Sequence, residues 1–183
     1  DLTQSAEATI RRDIAALDRQ KKLRRLRGGA EPIQPGPGLT LTGKSFAQKL
    51  NINSSKKRAI AKAAVDLCND GEAIIINGGT TTFQMVHYLT PRHLQVLTNS
   101  FPIAEHLLKH SKNTVTVPGG TLYREQNVIL SPFENDGSRH FHGHRLFMGA
   151  QGIGHMGIME SDSLLVQAEE KLMGQSDELI LLV

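Results

Sequence analysis

The residues best suited to chemistry lie in the stretch Ile74-Ile75-Ile76-Asn77-Gly78-Gly79-Thr80-Thr81-Thr82. A β-branched run stops at two glycines and three threonines, and Phe83, Val86 and Leu89 then take up helical spacing. The pattern predicts a buried strand, a tight turn and the first turns of a helix. Unpaired backbone N–H groups gather at such a helix start, the glycines let a ligand come close, and the hydroxyls add hydrogen bonds. That combination seats a phosphate or a carboxylate. The turn fits neither the dinucleotide nor the Walker pattern, and alone it also reads as an ordinary connection.

The surrounding elements decide between those readings. From Ser54 onward, helical and strand patterns alternate: helix from Ser54 or Ser55, strand Ala73 to Ile76, helix to about Leu89, and strand Gln95 to Thr98. A helix beginning near Pro102 follows, with Ile103, Leu107 and Leu108 as its apolar face, then strands Thr114 to Val117 and Arg145 to Met148. Leu164 to Ser176 reads as a helix and Glu178 to Val183 as a strand. The alternation predicts an α/β domain with a mostly parallel, doubly wound sheet. Thr98-Asn99-Ser100, Gly119-Gly120 and Gly149-Ala150-Gln151-Gly152 also stand at the carboxyl ends of predicted strands. In a parallel sheet those ends share one edge, where ligands bind. Four small, polar turns on one edge favour a small-molecule site.

The chain has 183 residues, 39% of them hydrophobic and 21% charged, enough for one sizeable core or a small domain joined to a larger one. It contains no apolar run of membrane-spanning length and no signal-peptide pattern, which points to a cytoplasmic protein without a membrane partner. A single cysteine, Cys68, excludes an internal disulfide framework and a cysteine zinc cluster. It sits in an apolar helical pattern and reads as a buried structural thiol. Residues 1–30 hold eight Lys/Arg against four Asp/Glu, whereas the remainder holds thirteen against fourteen. The excess positive charge thus belongs to the amino-terminal segment, as in a nucleic-acid-binding module joined to a neutral domain.

That segment begins with Ser5 as N-cap of a helix running from about Ala6 to Arg19. Ala6, Ile10, Ile14 and Leu17 fall on one face, with Ala8, Thr9, Arg12 and Ala16 mostly opposite and Arg11 beside them. Small residues with arginine can approach a groove and reach phosphates and base edges; a solvated basic helix is the plain alternative. Lys21 to Arg27 then reads as a basic strand running into Gly28-Gly29. Recognition helix followed by a basic wing is the order of winged helix-turn-helix modules.

The run Ser5-Ala6-Glu7-Ala8-Thr9-Ile10-Arg11-Arg12-Asp13-Ile14, with Leu17-Asp18, Lys22-Leu23, Arg25 and Gly28-Gly29-Ala30, resembles the DeoR family of bacterial transcriptional regulators. Arg27 departs from the family, which usually has histidine before the glycine pair. The resemblance implies that Ser5, Ala8, Thr9, Arg11, Arg12, Arg24, Arg25 and Arg27 serve double-stranded operator DNA. Only Asp1 to Gln4 precede Ser5, so residues 1–30 read as an incomplete winged helix-turn-helix. The chain stops within a strand pattern at Val183, so truncation at both ends is expected. The Pro- and Gly-rich residues 31–53 read as linker, and 54–183 as the effector-sensing domain, incomplete at its far end.

The four turns, in this order, are also similar to the family's sensor domain, whose fold resembles ribose-5-phosphate isomerase and CoA-transferase. By that resemblance Gly78, Gly79, Thr80, Thr81 and Thr82 hold a phosphate. Thr98, Asn99 and Ser100 line the pocket, and Gly119, Gly120 and Gln151 close it. Lys171 matches a family lysine and stands either at the pocket rim or in solvent. The implied effector is a phosphorylated sugar or sugar acid, the implied assembly a dimer or tetramer, and the implied function repression of a sugar or sugar-acid operon, with no cofactor. Many members carry Asp or Glu at the position of Gln151 and often Asp at that of Gly154, so the effector is expected to be unusual. Leu130-Ser131-Pro132 and Met148 to Ile153 look closest to the ascorbate and sugar-acid branch.

The alternative is a sugar-phosphate isomerase on the same fold. It needs a base to move a proton beside a carbonyl, and the loop Gly149 to Gly154 offers none. Glu169 and Glu170 are the nearest acids and read as helix decoration, so no catalytic residue is assigned. His140, His142 and His144 alternate as a strand-borne metal site could, but they read better as a solvated or interface loop.

Overall fold

A computed structural model describes residues 7–20, 22–26, 29–32, 46–133 and 135–183. Ser5, Arg27, Gly28 and most of the proline-rich stretch lie outside the described residues. The chain divides into two compact units, Asp1–Gly43 and Lys44–Val183.

In the first unit, helix α1 (Glu7–Arg19) is followed by strand β1 (Leu23–Leu26), paired antiparallel with β2 (Gly29–Pro32). Ile10 and Ile14 are half-buried, and Ala8, Thr9, Arg11 and Arg12 are exposed, as the helical spacing requires. Two details differ from expectation. Ala16 lies on the half-buried side, and Leu17 is exposed. The Asp18 carboxylate accepts the Arg25 N–H at 3.0 Å and ties helix to wing.

The second unit begins with α2 (Phe46–Leu50), a helix inside the segment read as linker. Its Phe46 is buried and meets Phe83 edge-on at 5.9 Å between ring centres, so burial of one aromatic orders what composition marks as loop. Helix α3 (Ser54–Asp66) has Asn53, not a serine, as its N-cap; Ala61, Ala64 and Val65 are buried, whereas Leu67 just beyond it is half-exposed. Strand β3 (Ala73–Ile76) follows. The helix expected after it is broken at Gln84-Met85 into α4 (Thr80–Phe83) and α5 (Val86–Leu89). Next come β4 (Gln95–Thr98), α6 (Phe101–His110) and β5 (Thr114–Thr116). Leu108 on α6 is 77% exposed, which removes it from the apolar face assigned to it.

Two antiparallel hairpins that the alternation did not reveal come after: β6 (Thr121–Tyr123) with β7 (Val128–Leu130), and, beyond strand β8 (Gly143–Met148), β9 (Gly152–Gly154) with β10 (Gly157–Met159). Three-residue strands give too little periodicity to stand out from loop sequence. Helix α7 (Ser163–Met173) and strand β11 (Ser176–Leu181) close the described chain.

Five strands form one sheet in the order β11-β8-β3-β4-β5, all parallel. Strand β3 is central and buried on both faces, which is why it reads as a continuous apolar run. Ile74 and Ile76 join Val65, Met85, Leu89, Ile103 and Leu107 on one side. Ile75 points to the other, against Leu97, Leu146, Met148 and Leu172 of α7. The two-residue alternation of a strand thus divides the core into two layers, and the helices on them hold the strand ends in place.

Candidate functional site

A cavity of about 410 Å³ opens at the carboxyl ends of the central strands. Asn77 to Thr81 after β3, Asn99 after β4 and Gly149 to Gln151 after β8 line it, so three of the four expected turns converge. The first ladder bond of α4 runs from Phe83 N–H to Gly79 O at 2.9 Å, so the amides of Thr80, Thr81 and Thr82 precede the ladder. Lys57 Nζ donates to Thr80 Oγ1 at 2.9 Å and to Lys49 O at 2.6 Å, and Lys49 lines the cavity. Burial, then the neighbouring Lys49, pushes the Lys57 ammonium below its ordinary pKa. Lys57 is thus bonded to the glycine-threonine turn, with Lys49 near enough to repel it.

A chain of hydrogen bonds runs through the floor of the site. Gly78 N–H donates to Asn99 Oδ1 at 2.7 Å, Asn99 Nδ2 to Asn77 Oδ1 at 2.8 Å, and Asn77 Nδ2 to Glu169 Oε1 at 2.9 Å. Asn77 and Asn99 are buried, so their amides need these partners. Gly78 is glycine for want of room: a Cβ there would stand 2.2 Å from Val128 Cγ1 of the β6–β7 hairpin.

The other expected site residues divide. Thr82 Oγ1 bonds Gly79 O at 3.0 Å and Thr98 Oγ1 bonds Ile76 O at 2.6 Å, while Ser100 Oγ accepts Ile103 N–H at 3.4 Å as the cap of α6. All three are buried and bind the turns together internally. Gly119 and Gly120 do not line this cavity; Gly120 packs so closely on the Leu130 carbonyl that a Cβ would fall 2.2 Å from its oxygen. Lys171 is neither at this rim nor free in solvent. Its Nζ donates to Asp136 Oδ2 at 2.6 Å and to Phe133 O at 3.2 Å.

Helical geometry explains where Lys171 goes. Leu165 and Glu169, four apart on α7, face the first cavity. Leu164, Ala168 and Lys171 face a second, mostly apolar cavity of about 370 Å³ that also touches Asn99. Residues two apart on a helix point about 200° away from each other, so Glu169 and Lys171 cannot serve one cavity. Burial alone would raise the Asp136 carboxyl, but hydrogen bonds from Lys171, Ser131 and Ser138 hold it well below the usual carboxylate range.

Sequence reasoning missed Lys49, Lys57, Gln126 and Glu160, and it set Glu169 on a solvated face. Asn77 stood in the opening motif without a role. Glu169 is instead half-buried and lines the cavity. Burial raises its pKa, the Asn77 hydrogen bond partly offsets this, and Glu160 adds to the rise. Cys68 is buried and its thiol is pushed up to about 11 by burial and then by Glu72, as an inert structural thiol would be. His142 Nε2 and His144 Nδ1 lie 2.8 and 3.3 Å from the two oxygens of Asp177. Among the described residues no group of three potential ligands is placed to hold a metal ion, and none of the helices is long and apolar enough to cross a membrane.

Of the residues expected at DNA, Ala8, Thr9, Arg11 and Arg12 are exposed on α1 and Arg25 is exposed on β1. Arg24 lies on the same strand, while Ser5 and Arg27 fall outside the described residues.

Residues 1–35 match the DeoR-like helix-turn-helix domain and residues 52–183 the DeoR C-terminal sensor domain. The chain is 36% identical over 177 residues to the HTH-type transcriptional regulator UlaR of Shigella dysenteriae, covering 96% of this chain and 68% of that protein. The UlaR of Escherichia coli gives the same figures. Among solved structures, ribose 5-phosphate isomerase A of Methanocaldococcus jannaschii aligns with a TM-score of 0.52 at 14% identity, over 70% of this chain and 52% of that one. A D-ribose-5-phosphate isomerase in complex with phospho-erythronic acid gives 0.51 at 12%, over 70% and 51%. These likenesses are of fold; the sequence relatives are named transcriptional regulators, so the protein is not an isomerase. With a helix-turn-helix match ahead of a sensor-domain match that spans most of its length, the chain belongs to the DeoR family of transcriptional regulators.

Proposed function

We propose that this regulator represses a sugar or sugar-acid catabolic operon in the cytoplasm and changes its hold on operator DNA when a phosphorylated sugar or sugar acid enters the cavity beside Gly78 and Gly79. The observation that carries the reading is that Thr80 and Thr81, whose amides precede the helix ladder, line the cavity together with Lys49, while Lys57 donates to the Thr80 hydroxyl. Amides at a turn and nearby ammonium groups complement a phosphate. Asn77, Asn99, Gln126 and Gln151 supply neutral polar groups for the rest of a hydroxylated ligand. The phosphate therefore sits on Gly79, Thr80 and Thr81, with Asn99 and Gln151 beside it. Gly78, Thr82, Thr98, Ser100, Gly119 and Gly120 shape the site from behind, and Lys171 keeps the neighbouring loop in place.

At DNA, Ala8 and Thr9 face the groove and Arg11, Arg12, Arg24 and Arg25 take phosphates or base edges, and Ser5 and Arg27 serve the same duplex. A dimer or tetramer matches the twofold symmetry of operators. The effector acts by binding one arrangement of the assembly better than the other.

The test is a mobility-shift titration with the full-length regulator on operator DNA selected from a random pool, with and without a panel of sugar phosphates. Selection of one sequence over competitor, reversed or reinforced by one compound, is the expected result. Failure to prefer any sequence would end the regulator reading of the first unit; indifference to every phosphorylated compound would end the effector reading of the second.

A further inference from the structure

The cavity is lined by two carboxylates, Glu160 and Glu169, as well as by Lys49. Glu160 Oε1 accepts from Gln151 Nε2 at 2.6 Å, Ser161 N–H at 2.7 Å and Asp162 N–H at 3.0 Å. Glu169 Oε1 accepts from Asn77 Nδ2 at 2.9 Å. In each case the described residues place their hydrogen bonds on Oε1 and leave Oε2 without one. An ionised carboxylate accepts and never donates. The cavity therefore keeps acceptor capacity for donors that the ligand must bring.

Their placement bears on the loop that lacks acids. Gln151 and Gly154 bring no charge to the turn after β8, yet Glu160, which clasps Gln151, and Glu169, on α7, return two carboxylates to the same cavity. Like charge brought beside a fixed, partly desolvated carboxylate is an effective device for rejecting a ligand.

We propose that Glu160 and Glu169 set the specificity of this cavity: they take hydroxyl groups of an effector whose one anionic group sits at Gly79–Thr81, and they exclude a ligand carrying a second carboxylate at its far end. The inference rests on the effector reading above and narrows it from phosphorylated sugars and sugar acids to phosphorylated polyhydroxy compounds without a free carboxylate. Neither glutamate is catalytic. Each selects by what it accepts and what it repels.

Matched ligands isolate the claim. Erythritol 4-phosphate, ribitol 5-phosphate and sorbitol 6-phosphate differ from 4-phosphoerythronate, 5-phosphoribonate and 6-phosphogluconate only by oxidation of the terminal carbon to a carboxylate. Calorimetric titration of the full-length regulator with all six gives three direct comparisons. The expected result is that, at the chain length that binds best, the polyol phosphate is favoured by about tenfold or more, and that Glu160→Gln and Glu169→Gln each narrow the gap. Both substitutions keep an oxygen at Oε1 for the existing bonds, and a thermal melt of each variant checks its fold. Equal or tighter binding of the carboxylate partner by the unaltered protein overturns the proposal, as does a gap that neither substitution changes. If none of the six binds but a compound of the sugar-phosphate panel does, this inference is overturned while the effector reading stands; if no phosphorylated compound binds, the effector reading fails and carries this inference with it.

Discussion

The backbone N–H of Gly78 and the side-chain oxygen of Asn99 lie 2.7 Å apart, so one hydrogen bond joins the turn after β3 to the turn after β4. Asn99 passes the constraint on through its own amide to Asn77, and Asn77 to Glu169 on α7. Strand ends that parallel pairing brings to one edge are thereby fixed at hydrogen-bond precision. Replacing Asn99 by Ala leaves the Gly78 N–H and the Asn77 oxygen without these partners, which costs about 1–3 kcal/mol. Urea unfolding at neutral pH is the check. Asn99→Asp keeps an acceptor for Gly78 but cannot donate to Asn77, so it recovers only part of that loss.

Gly78→Ala drives a methyl group against Val128 Cγ1, at 2.2 Å in the unaltered geometry. The hairpin must shift, at a cost of about 1–3 kcal/mol. Val128→Ala removes that γ-carbon, so the double variant loses less than the two single losses added together. A double-mutant cycle by thermal or chemical unfolding measures the coupling; strict additivity would show that the hairpin does not lean on this turn.

His87 and His106 form an edge-on pair with ring centres 5.7 Å apart, beside Phe83 and His110. Burial lowers the pKa of both; Arg58 adds to the effect at His87, and His110 and His87 add to it at His106. Above the unfolded value of about 6.5 both states are neutral and the stability of this packing is fully present. As pH falls through that value toward the depressed folded pKa values, the unfolded chain takes protons first and stability declines. Thermal melts between pH 7.5 and 5 therefore fall for the wild type, and His106→Gln flattens that slope. An unchanged slope in the variant would place the acid sensitivity elsewhere.

The Asp136–Lys171 ion pair acts on a lower range. Asp136 is held well below the ordinary carboxylate pKa, so its stabilising contribution is complete above about pH 4 and is lost only as pH falls below that toward the depressed value. Asp136→Asn destabilises at neutral pH by roughly 1–3 kcal/mol, because Lys171 and Ser138 lose a charged acceptor. In the variant, the acid limb of the stability curve becomes shallower below pH 4. Melting curves from pH 2.5 to 7 distinguish this from a general acid effect.

How much of this was legible in advance depends on how local each feature is. The isoleucine run, the glycine-threonine turn and the polar residues after β4 and β8 declare a parallel sheet whose strand ends share one polar edge, because strand burial and turn chemistry are written in adjacent residues. Helix α2 was hidden for the opposite reason: five residues become helical because Phe46 is buried and packs edge-on against Phe83, far away in sequence. The two hairpins were hidden by their brevity, and one of them supplies the Val128 contact that excludes a side chain at Gly78.

The sequence by itself determined the class of protein and the turn at Gly78–Thr81, since a recognition-helix signature and a glycine-threonine break after an apolar run need no distant partner. Only the tertiary structure decided which charged side chains line the cavity at that turn. Leu172 buries α7 against Ile75, Leu97, Leu146 and Met148, and that packing fixes the roll of the helix. The roll turns Glu169 into the site and Lys171, two residues on, toward Asp136. Helical spacing says that the two must part; the core alone selects which of them lines the cavity.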